Sequence, residues 1–400
     1  LFRHIQTGYI NFLLAACLGL ILRLFFSGWK IPIPYQHLLH AHSHTAVLGW
    51  CSQTVLAILC FYYLPEKSKL TNRLYITAQV AILGMLVGFI IQGYALFSIL
   101  FSSIHLIISY IFAINLWKNK VSEGIEKSTM RWALGFLFFS STGVWLLPIS
   151  IVIFGKGSTE YQLSIQFYLH FMFNGWLFLG PLTLLLIQFR NQLKTNISKL
   201  TEKLLLLYVL SILLSFAFNI SWFYNHKILY LLNSIAVVSQ LFILLIIYQK
   251  RESFFITNSA KISLIFKIIL LFIASFLSIK VLMQTLLLFP EIFESITHIR
   301  SLHIGFIHLL MLGLVSGSLI YITGSLYPRI AQKKLFFIGV ILLIISICST
   351  EGLIFFSGLG YWIEHSYHSQ IQMGLIIFSS SLLLSIGILS YSFLQQKNKL

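Results

Sequence analysis

Three histidines fall within five positions of HAHSHTAVLGW, residues 40–50, at the mouth of an apolar run. Neutral imidazole binds transition metals through a ring nitrogen and titrates near neutral pH, so His40, His42 and His44 point first to metal ligation or proton handling. On a regular helix His40 and His44 share a face, whereas His42 is turned about 200° from His44. The three therefore do not serve one site together. Further ionisable groups sit deep in apolar sequence: His105, His170 in YLHFMFNGWLFLG, His303 and His308 in SLHIGFIHLLMLG, and Glu351 in ICSTEGLIFF. Such groups are costly inside a membrane and mark functional positions by default. Glu351 and His105 suit a proton path; Glu351 equally suits a histidine partner or a hydrogen-bonded structural carboxylate.

The elements that hold these residues follow from composition. Of 400 residues, 58% are hydrophobic and only 9% charged, and the mean hydropathy is +0.90. A soluble domain is excluded. Apolar runs of about 20 residues, each the length a helix needs to cross the hydrocarbon, recur along the chain. Twelve spans are predicted: 6–28, 39–64, 74–93, 96–117, 130–154, 162–189, 203–224, 228–249, 263–286, 300–325, 335–357 and 369–395. The fold class is an all-α polytopic membrane protein, one transmembrane domain over 1–400. The first run is long enough to span and lacks a small-residue cleavage pattern, so it reads as a helix and not as a removable leader. Cys17, Cys51, Cys60 and Cys348 all lie in apolar spans and read as small hydrophobes.

The net charge of +17 is scattered through loops and forms no basic stripe, which argues against nucleic acid. One set of alternate loops holds Lys67, Lys69, Arg73, Lys118, Lys120, Lys127, Arg131, Arg190, Lys194, Lys199, Lys203, Lys250, Arg251, Lys261, Arg329, Lys333, Lys334, Lys397 and Lys399. The other holds Lys30, Lys156, Lys227 and Arg300. By the positive-inside rule the rich loops and both termini are cytoplasmic, in a plasma (inner) membrane, and an even number of spans is required. Of the thirteen histidines, all but His4 then gather toward the outer face. The ordinary role of His37, His40, His226, His298, His365 and His368 is to sit at the interface or bond a neighbouring helix. His44 precedes Pro65 by 21 residues, while His308 precedes Pro328 and His170 precedes Arg190 by 20 each. At about 1.5 Å per residue the three share one layer, roughly 30 Å from the inner boundary.

His44 is followed by Gly49, Trp50 and then Phe61-Tyr62-Tyr63-Leu64-Pro65-Glu66; His308 opens HLLMLGLVSGSLIYITGSLYPRI, with Gly313 at +5 and Pro328-Arg329 at +20. These runs resemble the second and tenth helices of the heme-copper oxidase subunit I superfamily, particularly the nitric oxide reductase large subunit. The resemblance implies a twelve-helix core in which His44 and His308 are the axial ligands of a low-spin b-type heme, with an electron donor such as quinol or cytochrome and redox partner subunits. Two imidazoles leave iron no open position and favour electron transfer. Gly49 and Gly313 would leave room for a flat macrocycle, or serve close helix packing, and Arg300 would pair with propionates or anchor its helix at the interface.

The departures are equally specific. The family's tenth helix carries a His-X-His pair whose first member binds a second heme, and here that position is Phe306. The seventh span lacks the paired histidines of the family's dinuclear site, so His170, at the matching sixth-helix position, stands without them. The dinuclear centre is expected to be incomplete. A second resemblance is to the NnrS family of heme- and copper-containing membrane proteins linked to nitric oxide tolerance: His42-Ser43-His44 ahead of Val47-Leu48-Gly49-Trp50 is similar to its His-Ala-His signature, and His303 to the histidine that opens its late helix. It implies copper as a further cofactor, with His40, His42, His170 and His303 as candidate ligands. A transporter or assembly protein without heme is the remaining class; only Pro148 and Pro181 interrupt spans, and no repeat relates the halves.

Overall fold

A computed structural model describes residues 1–64, 69–118, 124–190, 198–250, 262–296, 299–364 and 369–395. Pro65, Glu66, His298, His365 and His368 lie outside the described residues, as do Lys67, Lys120, Lys194, Arg251, Lys261, Lys397 and Lys399. Among the described residues the fold is all-α, with 12 helices long and apolar enough to cross a membrane. In order these are α1 (Phe2–Phe25), α2 (Tyr35–Tyr63), α3 (Lys69–Gln92), α4 (Leu96–Lys118), α5 (Ile125–Phe154) and α6 (Thr159–Phe189). The second half comprises α7 (Ser198–Ser221), α8 (Lys227–Gln249), α9 (Leu264–Leu286), α10 (Arg300–Leu326), α11 (Lys334–Glu364) and α12 (Ser369–Leu394). Short helices at Pro290–Ile296 and Pro328–Ala331 add to the expected elements.

Local chemistry sets the ends. Pro34 precedes α2 in an extended conformation, and Gly155 and Gly157 take φ of +90° and +93°, values side chains disfavour, to turn the chain out of α5. Ser158 Oγ then caps α6 by accepting the Tyr161 amide at 3.2 Å. His226 Nδ1 accepts the Ile228 amide at 3.2 Å and caps α8, a structural role for one of the outer histidines.

The helices gather into two compact units, one of residues 1–121 and 301–400 and the other of 122–300. The first carries α1–α4 and α10–α12. Its middle is α2, which packs against α1, α3, α4 and α10. Lipid tails are as apolar as leucine, so close packing and buried polar bonds hold such helices together. Trp50 of α2 is 1% exposed and stacks on Phe12 of α1 with centroids 4.7 Å apart and planes 1° from parallel. Tyr9 Oη and Thr323 Oγ1 join α1 to α10 at 2.9 Å, and Ser390 of α12 donates to Tyr9 O at 3.2 Å. In the second unit, α5 and α6 meet where Gly143 lies against the backbone at Ser164 and Tyr168, and Gly175 against the Phe136 ring.

Candidate functional site

The helices bearing the candidate histidines are not regular. α2 widens into a π-helical turn at Thr45–Ser52, directly after His44, and α10 does the same at Leu309–Ser316, directly after His308. In the second unit α6 widens at Met172–Trp176, two residues past His170. Each π stretch contains the glycine found five residues after its histidine: Gly49, Gly175 and Gly313. The widened helices are also the most buried of their units, with 72% of the α2 and α10 windows and 61% of the α6 window inside the protein. A π turn shifts the phase of everything beyond it and is frequent at functional sites. The π stretches of α2 and α10 are 8 residues long and that of α6 is 5.

The three histidines of α2 divide as helical phase requires. His40 and His44 face α3 together: their rings are 6.2 Å apart, and Phe89 lies 5.6 Å from His40 and 4.4 Å from His44. Tyr94 closes the same pocket, 5.4 Å from His40 and 6.3 Å from His44. The Nδ1 of His44 donates to His40 O at 3.0 Å, which leaves Nε2 as the lone-pair nitrogen. On α4, His105 Nε2 accepts from Gln53 Nε2 of α2 at 3.0 Å. His42 turns to α1, where Nδ1 donates to Ala15 O at 2.8 Å and the ring fills the space above Gly19. Its Nε2 is therefore a lone-pair nitrogen as well.

His308 Nδ1 lies 3.3 Å from Glu351 Oε1 of α11, and this carboxylate is 4% exposed. A carboxylate behind the distal nitrogen fixes the tautomer and ring orientation of a ligating imidazole and raises its basicity. His42 lies on the face of α2 opposite the one the resemblance selects, turned to α1, and His308 pairs with Glu351 of α11.

The other candidates fall elsewhere. Arg300 is exposed at the start of α10, and His303 is half-buried one turn and a residue before His308. Gly49 makes no room for a macrocycle: a side chain there would meet Asn11 at 3.2 Å, and its carbonyl accepts from Asn11 Nδ2 at 3.1 Å. His37 packs over Gly93, with Nδ1 3.3 Å from Ile90 O. His170, in the second unit, donates Nε2 to Ile212 O at 2.9 Å and packs on Phe171 and Phe216. Among the described residues no three His, Cys, Asp or Glu side chains form a metal-binding group, and all four cysteines are free. A heme needs only two imidazoles; on α2 the Nδ1 of His44 and of His42 is each taken by a backbone carbonyl, leaving Nε2 free to ligate, while on α10 His308 Nδ1 stands 3.3 Å from the Glu351 carboxylate.

No family model and no curated protein matches this chain. The functional reading therefore rests on residues and geometry. Sequence reasoning passed over two cations, Arg23, half-buried in α1, and Lys280, buried in α9. The signal was available in both, a basic residue inside an apolar span.

Proposed function

We propose that this chain is a heme-binding redox protein of the membrane, akin to the heme-copper oxidase and nitric oxide reductase large subunits and incomplete at the dinuclear centre. What carries the reading is the arrangement of α2 and α10. Each carries a histidine immediately before a π turn; His44 donates Nδ1 to His40 O, and His308 Nδ1 stands 3.3 Å from the buried carboxylate of Glu351. His44 and His308 would hold a b-type heme, which supplies one-electron transfer when bound. The chain's own part is to fix the His44 tautomer through His40 O, exclude water with α1, α3 and α11, and set the Glu351 carboxylate beside His308. Phe306 offers no ligand atom for a second iron, so turnover of oxygen or nitric oxide is not assigned. Any catalysis would be that of an oxidoreductase fed by a quinol or cytochrome donor.

A second pairing, His42 with His308, has His42 turned to α1 with Nδ1 donated to Ala15 O and Nε2 left as the lone-pair nitrogen, and is closer to the NnrS-like alternative in which heme or copper is bound without turnover. Both readings place the termini in the cytoplasm and the histidines toward the outer side of the plasma membrane, following the loop charges.

The test is to purify the protein in detergent and record reduced-minus-oxidised spectra with metal analysis for wild type, His42→Ala, His44→Ala and His308→Ala. A b-type spectrum lost in His44→Ala and His308→Ala supports the first pairing, and loss in His42→Ala in place of His44→Ala supports the second. Wild type without heme ends the proposal. Substrate flux by such heme-free protein would identify a transporter.

A further inference from the structure

Lys280 of α9 is 1% exposed and lies six residues, roughly 9 Å of helix rise, from the helix end at Leu286. A lysine so placed ordinarily snorkels, with its stem along lipid and its ammonium at the interface. Here the side chain turns inward. Its Nζ donates to Gln240 Oε1 of α8 at 2.7 Å and stands 5.6 Å from the ring centroids of both Phe178 (α6) and Tyr208 (α7). The short contact is that of a charge-assisted bond, and both rings are within cation–π range. The Tyr208 hydroxyl is directed away, donating to Asn174 O at 3.1 Å.

What this box lacks decides its character. Arg190 pairs with Glu126 and His308 with Glu351, and Lys280 belongs to neither pair. Of the titratable groups on α6, α7 and α8, His170 and Tyr208 are those the structure relates to Lys280, and neither brings negative charge near neutral pH; Glu160 of α6 and Glu202 of α7 make no ion pair with it. A permanently charged lysine in such a place would need a carboxylate to offset its desolvation. A bound anion is disfavoured as well, because the rings present their negative faces to the site. Neutral groups that stabilise an ammonium without locking it suit a charge that comes and goes.

We propose that Lys280 is an internal proton-binding site: Nζ–H breaks with the electron pair left on nitrogen, the proton passes to water, and the step reverses on protonation, while Gln240, Phe178 and Tyr208 hold the charged form. The site lies in the second unit and its test involves no heme.

The test places 4-cyanophenylalanine at position 178 as an infrared probe of the local field, in otherwise wild-type protein in lipid nanodiscs, and follows the nitrile band from pH 5 to pH 10. The expected result is one single-proton step in frequency, lost in Lys280→Met and replaced in Lys280→Arg by a band fixed at the charged position. No step in the wild-type background overturns the proposal. So does a step that survives in Lys280→Met, since it would belong to His170 or a more distant group. Should Lys280→Met fail to fold, judged by gel filtration and helical circular dichroism, Gln240→Glu serves instead: a carboxylate there pins the ammonium, the step should vanish, and its persistence counts against the site.

Discussion

Trp50 of α2 donates its indole N–H to the hydroxyl of Ser316 in α10 across 2.9 Å, and Ser316 in turn donates to Met311 O at 2.8 Å. Both residues belong to π stretches, so the bond ties together the two irregular turns that follow His44 and His308. It also satisfies a carbonyl of the widened α10 turn. Wide turns of this kind persist where tertiary partners compensate them, and Trp50 is such a partner.

That bond predicts a measurable coupling. Trp50→Phe keeps an aromatic ring on Phe12 but loses the N–H donor, and Ser316→Ala loses the acceptor. Each is expected to destabilise the protein by about 1 kcal/mol, with the double variant costing clearly less than the sum. Unfolding titrations in detergent measure all three; strict additivity would mean that the two side chains do not act as a pair.

The carboxylate behind His308 yields a second expectation. Glu351→Gln keeps the shape but removes the charge opposite Nδ1, as Glu351→Ala removes both. If His308 ligates heme, loss of such a supporting group weakens retention by roughly 10- to 100-fold. Heme content per protein after dilution reads this directly, and Glu351→Ala should fall at least as far as Glu351→Gln. Undiminished retention in both variants would detach Glu351 from the site.

Two glycines of α5 make a matched test of packing. A Cβ at Gly143 would lie 2.5 Å from Ser164 O and 2.9 Å from Tyr168 N, backbone atoms that cannot rotate aside. Gly143→Ala must push α6 away and is expected to destabilise by about 1–3 kcal/mol. Gly135 has nothing within 4 Å of the same position, so Gly135→Ala should be neutral or stabilise the helix by up to ~1 kcal/mol. Thermal unfolding of the two variants should move in opposite directions from wild type.

The sequence by itself determined the twelve spans, because hydrocarbon thickness demands runs of apolar residues that stand out whatever their neighbours are; the predicted 228–249 and the observed Lys227–Gln249 of α8 differ by one residue. It also determined that His42 must part from His40 and His44, since side-chain direction on a helix is a local property. What it left open was which neighbour each face would meet. Only the tertiary structure placed His44 against Phe89, His42 against Ala15 and Glu351 behind His308, because these contacts join residues far apart in the chain. The π turns belong to the same class: an i→i+5 turn is unfavourable on local grounds and forms where Trp50, Ser316 and Asn11 satisfy what it loosens. Lys280 was legible as an anomaly in an apolar span, yet its inward turn toward Gln240 and two rings required α6, α7 and α8 to close around it.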